Sequence, residues 1–272
     1  MDDQIVAIYT ICSDLLIGLH HYEDPQCQVS DAEIMTIAIV AAIYFKGNYS
    51  AARLLLKNPR YMANVLSKSQ SSRRLHRIKG RFLQLFALLG EHWKELNSDT
   101  VYAVDSFPVQ VCDNYRIKRC KLYQHEKYGG YIASKKKYFY GLKIHMMVTK
   151  DGHPVEFFLT EGSVNDVSVM DIFDFDVQPG SEIYADRMYN KYWLEDVINE
   201  SGILFEPYRK SNSKREQPPW RKYWIEIHRN RVETTGSELE RLLPKHIHAT
   251  NDTGFELKVV LFILAISMKS VF

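Results

Sequence analysis

Two hundred and seventy-two residues make a chain long for one compact domain and short for two, so one large domain or a core with a modest appendage is expected. It is 46% apolar and 25% charged, which permits a substantial core and excludes wholesale disorder. The net charge of +2 names no partner as a sum, and only its distribution carries information.

The longest apolar run near the C-terminus, residues 259–268, is about half the length a membrane span requires and is expected to be a buried helix. Asp2 and Asp3 open the chain without a basic segment, so no signal peptide is expected. Cys12, Cys27, Cys112 and Cys120 form no CxxC pair, which suits ordinary buried thiols in a reducing compartment.

The first hundred residues read as helical. Ser30-Asp31-Ala32-Glu33 has the spacing of a capping box at a helix start. The following residues 34–45 are apolar almost all round, so that helix should be central in its bundle. A second helix is predicted over 71–93, with Leu75, Ile78, Phe82, Phe86 and Leu89 on one stripe and Arg74, Arg77 and Arg81 on another face. Such a helix can dock on a bundle while turning cations to phosphate, although a merely solvated basic face fits as well.

From residue 101 the texture changes. Residues 101–105 are a short strand ending in an acid, and 138–149 and 154–160 are strands around a turn at 150–153. A strand over 183–186, a helix over 190–201, a strand over 203–207, a polar loop over 211–222 and helices over 225–243 and 255–270 follow. The pattern is an α/β mixed-sheet core flanked by helices (99–272) behind an N-terminal all-helical region (1–98).

Charge is laid down in blocks along these elements. Residues 53–81 hold nine bases and no acid, 116–143 nine bases and one acid, and 207–231 eight bases and two acids. Between the last two, 156–206 holds twelve acids and two bases. Basic blocks of this density are the footprint of a polyanion-binding surface. The acidic stretch fits either solvated faces or carboxylates gathered at a metal.

Asp105 and Asp186 each end a short apolar strand, where side chains line the ligand crevice of an open α/β sheet. Carboxylates brought side by side repel unless a cation lies between them. Two Mg²⁺ ions about 4 Å apart can activate an attacking oxygen and stabilise the leaving one in phosphoryl displacement. Glu233, among cations on the helix after the last strand, is the best third ligand.

Ala103-Val104-Asp105-Ser106, Tyr140-Gly141-Leu142-Lys143-Ile144-His145, Tyr184-Ala185-Asp186-Arg187-Met188-Tyr189 and Arg231-Val232-Glu233-Thr234-Thr235, in this order and spacing, resemble the DDE transposases of bacterial insertion sequences. The resemblance covers about residues 100–270 and includes Gly254-Phe255-Glu256-Leu257-Lys258. It implies an RNase H-like core with Asp105 on the first strand, Asp186 on the fourth and Glu233 on a following helix. It further implies that these three bind two Mg²⁺ ions, with Mn²⁺ able to substitute, and cut and join DNA. The partners so implied are double-stranded DNA, as terminal inverted repeats and target, and a second copy of the chain in the synaptic complex. No membrane is implied, and the setting is the bacterial cytoplasm, close to the nucleoid. Arg73, Arg74, Arg77, Arg81, Lys143, Arg229, Arg231, Trp220 and Trp224 are the expected DNA contacts.

The chain departs from the family pattern in three places. Arg187-Met188 replaces a Lys-Gly pair, and Glu226 and Glu240 stand where related branches carry a tyrosine and a lysine. A transposase-derived DNA-binding protein without catalysis is therefore the alternative, while the cationic blocks argue against a two-carboxylate glycosidase.

Other residues weigh as follows. Asp166 is better explained as the N-cap of a helix over 166–174 than, with Asn165, as support for a metal site. His145 beside Lys143 reads as a half-buried structural histidine rather than a phosphate contact. His246 with His248, and Cys112 and Cys120 with His125, lack zinc spacing. Trp220, Tyr223 and Trp224 among Arg215, Arg221 and Lys222 suit either base stacking or a hydrophobic plug.

Overall fold

The computed structural model describes residues 1–132 and 135–271, which divide into two compact units, residues 1–89 with 239–272 and residues 90–238. The division expected at residue 98/99 is thus drawn differently, because the last helix closes on the N-terminal helices.

The helical unit grows around one segment that has no polar face. Helix α1 (Asp2–Gly18) precedes α2 (Asp31–Tyr44), and eleven of the fourteen α2 residues are buried. Each buried Ile or Val there contributes about 1.5–3 kcal/mol relative to exposure. The predicted capping box is present: Glu33 N–H donates to Ser30 Oγ (3.1 Å) and Ser30 N–H to Glu33 Oε2 (2.6 Å). A helix buried all round needs partners on every side. Helix α3 (Tyr49–Leu56), α4 (Lys68–Arg77) and the C-terminal α8 (Asp252–Lys269) supply them, and α8 is itself apolar all round.

The helix predicted over 71–93 is two helices, α4 and α5 (Lys79–Leu96). Ile78 leaves helical geometry at φ −95°, ψ 12°, and Gly80, a poor helix former, follows the break. The apolar stripe survives, since Leu75, Ile78, Phe82, Phe86 and Leu89 are all buried. The arginines no longer share one helix face.

The second unit is built on a six-stranded mixed sheet. Strand β1 (Val101–Cys112) pairs antiparallel with β3 (Lys137–Thr149) and parallel with β5 (Glu182–Ala185), which pairs parallel with β6 (Leu204–Pro207). The far edge of β3 carries β2 (Gly129–Ile132) and β4 (Pro154–Glu161), both antiparallel. The strand order β2–β3–β1–β5–β6, with β4 also on the far edge of β3 and β3 alone reversed, is an RNase H-like arrangement. Helix α6 (Tyr192–Glu200) joins β5 to β6, and α7 (Pro219–Leu242) follows β6. Val101 to Val104 are buried throughout, as expected of a central strand covered on both faces. Gly141 on β3 is required by packing, because a Cβ there would lie 2.0 Å from Val109 O on β1.

The helix predicted over 166–174 is a short 3-10 turn, Asp166–Val169. The loop predicted over 211–222 ends early, since α7 starts at Pro219, a residue pre-set for the first helical turn. Among the described residues no single helix is long and apolar enough to cross a membrane.

Candidate active site

The site begins with a register coincidence. Val104 and Ala185 are the last paired residues of the parallel β1/β5 ladder, so Asp105 and Asp186 are the next residue on each strand. Beyond Asp186 the chain turns into the 3-10 segment Arg187–Tyr189, which frees its carboxylate from the ladder.

Helix α7 brings the third acid. Arg229 and Glu233 stand one turn apart, and Ile225, His228, Val232 and Thr235 are buried along the same helix. Its approach to the sheet is set by Gly236, where a Cβ would lie 2.0 Å from the Phe107 ring on β1. Glycine inside a helix costs about 1 kcal/mol of propensity, which this close packing offsets. Thr235 Oγ1 donates to Gly152 O (2.8 Å) in the β3–β4 turn and fixes the helix in place.

Electrostatics follow from that packing. Arg229 Nη2 is 3.1 Å from Glu233 Oε1 and 3.4 Å from Asp186 Oδ1, and the Arg229 side chain is only 15% exposed. Its Nε is buried with no hydrogen-bond partner among the described residues. Asp105 accepts a hydrogen bond from Ser106 N–H (2.8 Å). Burial pushes its carboxyl up to about 7; Ser106 N–H and Arg229 oppose the rise, and the negative charges of Asp186 and Glu233 reinforce it. The three acids and Arg229 therefore form one interacting group. Positive charge is what such carboxylates require, and Arg229 supplies it.

A supporting layer lies behind Asp105, and here the expected N-cap role of Asp166 is corrected. Asp166 Oδ1 accepts from Ser106 Oγ (3.0 Å) and pairs with Lys143 Nζ (3.3 Å), while Lys143 also donates to Val164 O (2.8 Å). The N-cap of the 3-10 turn is Asn165, without a side-chain bond. Tyr189, fully buried beside Ser106, has its phenol raised by burial and by Asp105, Asp166 and Asp186. The loop after Asp186 is tied by Asn190, which donates to Arg187 O (2.8 Å) and Tyr208 O (2.9 Å) and accepts from Arg209 (2.8 Å). Arg209 pairs with buried Glu195.

The expected DNA contacts separate into two kinds. Arg73, Arg77 and Arg231 are exposed, Trp220 is 67% exposed and Trp224 44% exposed. Trp224 Nε1 donates to Tyr184 Oη (2.9 Å), so one end of that ring is fixed. Arg74 instead pairs with Asp31, Arg81 reaches His21 Nδ1 (3.1 Å) and Gln84 (2.8 Å), and Lys143 holds Asp166. These three cations are engaged within their own unit. His145 is wholly buried rather than half-buried, bonded to Thr160 Oγ1 (2.9 Å) and stacked on Phe158, and burial lowers its ring to about 4.

Reasoning from the sequence missed Tyr189, Arg209 and Asn190. The Asp-Arg-Met-Tyr run was the available signal for the first, and no local pattern marks the other two.

An all-oxygen set of carboxylates suits a hard dication, and the donor chemistry of Asp105, Asp186 and Glu233 fits one. Their oxygens are not gathered as closely as the ligand atoms of His21, Glu23 and Asp31, a ring nitrogen and two carboxylate oxygens, the one group of three within 4.8 Å among the described residues. That other group is closed by Arg74 on Asp31.

The strand order and the acids just past the β1/β5 ladder together define an RNase H-like α/β core with a carboxylate cluster. The family model described as "Transposase DDE domain" matches residues 96–249, and the chain belongs to that family. Among solved structures, the chain is similar to a piggyBac transposase synaptic complex with hairpin DNA, at 9% identity and a TM-score of 0.38. The likeness covers 99% of this chain and 66% of that one, just under two thirds of its length. No curated protein matches the chain.

Proposed function

We propose that the chain cuts DNA at the ends of an insertion sequence and joins the freed ends to target DNA, with Asp105, Asp186 and Glu233 as its catalytic carboxylates. The observation that carries this reading is the placement of Asp105 and Asp186 one residue beyond the last β1/β5 pair, with Arg229 and Glu233 interacting with them from α7. Two Mg²⁺ ions, or Mn²⁺ in their place, held by the three carboxylates would supply an activated water and charge relief at the leaving oxygen.

The chain's own residues do the rest. To hold a cation Asp105 would lose to water the proton that burial favours, and Ser106, Asp166 and Lys143 hold the strand behind it. Arg229 offsets the negative charge of Asp186 and Glu233 from α7, and where cations took over that charge its guanidinium would be available to a phosphate. Trp220, Trp224 and Arg231 present stacking faces and charge beside the cut. Double-stranded DNA carrying terminal inverted repeats is the substrate class, engaged by a pair of chains in the bacterial cytoplasm.

A second reading, a protein that holds DNA ends without cutting, is favoured by one observation: Arg229 already bridges two of the three acids. One assay separates the two. Labelled duplexes bearing the flanking terminal repeats are incubated with the protein in Mg²⁺, in Mn²⁺ and in chelator. Metal-dependent nicking at the repeat boundary, lost in Asp105→Ala while end binding persists, is the expected result. End binding with no nicking in either metal establishes the second reading.

A further inference from the structure

Four cysteines occupy different environments. Cys12 is buried and its thiol is pushed up to about 12 by that burial, and Cys27 is exposed with Arg74 Nη1 3.2 Å from its sulfur. Cys112 and Cys120 differ from both. They are eight residues apart in the chain, half-exposed, and their side chains are in hydrogen-bonding contact.

The local fold produces this contact. Strand β1 is irregular between Gln110 and Cys112, where its register against β3 shifts, and Cys112 ends opposite Tyr140. A 3-10 segment, Asn114–Arg119, then reverses the chain, with Cys120 N–H closing it onto Ile117 O (3.1 Å). Tyr140 Oη donates to Tyr123 O and His125 O, which holds the segment just past Cys120 against the sheet. Both sulfurs open on one cavity of about 450 Å³, lined also by Tyr115, Arg116 and Arg119.

We propose that Cys112 and Cys120 form a redox-active dithiol, converted to an intramolecular disulfide by a small anionic disulfide of the glutathione class. The cavity admits such an oxidant, and Arg116 and Arg119 attract its carboxylates. Cys120, next in the chain to Arg119, takes the oxidant that Arg116 and Arg119 draw into the cavity, and Cys112, whose thiol burial and the adjoining Cys120 sulfur push up to about 12, resolves the adduct. Cys120 sulfur bonds to one sulfur of the oxidant and expels the other as a thiol. Cys112 sulfur then attacks Cys120, loses its proton to water and releases the second thiol. Two protein thiols are oxidised by two electrons and one small disulfide is reduced to two thiols. The new bond pins the loop that carries exposed Tyr115, Arg116, Lys118 and Arg119. The chemistry is independent of the transposition reading.

The test is to equilibrate the reduced full chain with mixtures of reduced and oxidised glutathione, block free thiols and map peptides by mass. A peptide joining Cys112 to Cys120, lighter by two hydrogens, is expected at an oxidant level about tenfold below that modifying Cys27. Cys112→Ser should stop at a glutathione adduct on Cys120, a species the wild type does not accumulate. Blocking of Cys112 and Cys120 to the same extent as Cys27 at every ratio overturns the assignment, as do separate adducts on the two cysteines in the wild type.

Discussion

Arg74 in the helical unit and Arg229 in the sheet unit each neutralise acids, and they do it for different ends. Arg74 binds Asp31, and both side chains are nearly covered, at 11% and 8% exposure. Asp31 also takes His21 (2.8 Å), so its lone pairs are used and the cluster is closed. Arg229 is as covered as Arg74, but its partners Asp186 and Glu233 are 28% and 53% exposed, and its Nε has no partner among the described residues. A closed cluster lowers the energy of the fold, whereas an open one keeps charge available to a ligand at some cost in stability. Under the proposed function the open cluster is the catalytic one, and mutation tells the two apart.

The largest contrast is in activity. Alanine at Asp105, Asp186 or Glu233 should lower end cleavage about a thousandfold or more, several kcal/mol of transition-state stabilisation, with folding retained. A time course on labelled repeat ends, beside a far-UV spectrum, measures both. Asp31→Ala should do the reverse. It strands the buried Arg74 charge and costs about 3–5 kcal/mol of stability, read as a lower midpoint in denaturant, with cleavage per folded molecule unchanged.

A smaller effect is expected where the open site is built. Gly236→Ala drives a Cβ into the Phe107 ring, so α7 must shift, at about 1–3 kcal/mol, and cleavage falls with it. A melting curve paired with the cleavage assay tests both parts.

The pH response sharpens the comparison further. Asp105 has a folded pKa raised to about 7, so its contribution to stability is present below the unfolded value near 4 and is lost as pH rises through about 7. In chelator, wild type and Asp105→Asn should differ least near pH 4, and the variant should become progressively the more stable up to about pH 8. Equal melting at both pH values contradicts the raised carboxyl. The smallest effect separates exposed from engaged arginines: Arg77→Ala should reduce the salt dependence of DNA binding by about one unit of slope and leave stability unchanged. Arg74→Ala should lower stability first.

Much of this was legible in residue order. The capping box at Ser30–Glu33, the all-apolar α2, the two strands around the turn at 150–153 and Asp186 at the end of an apolar strand follow from local pattern alone, whereas Asp105 does not end its strand: β1 runs on to Cys112 against β3, and only the β1/β5 ladder stops before it. Periodicity located the apolar stripe from Leu75 to Leu89 but not the break at Ile78, since a helix interrupted for one residue keeps nearly the same spacing. Asp166 was the instructive error. An acid before a polar turn is a good N-cap by composition, yet its partners Ser106 and Lys143 lie 60 and 23 residues away.

What the sequence determined by itself is the inventory: most of the helical and strand segments, the acids that follow apolar runs, and where basic blocks fall. Backbone propensity and side-chain periodicity are local, and they act over a few residues. Only the tertiary structure decided which charges remain available. Arg74, Arg81 and Lys143 looked as free as Arg73 and Arg77 in the sequence, and each is engaged by a side chain from a distant segment or its own helix neighbours. Burial and pairing depend on contacts across the fold, so the assignment of each charge to stability or to ligand is made there.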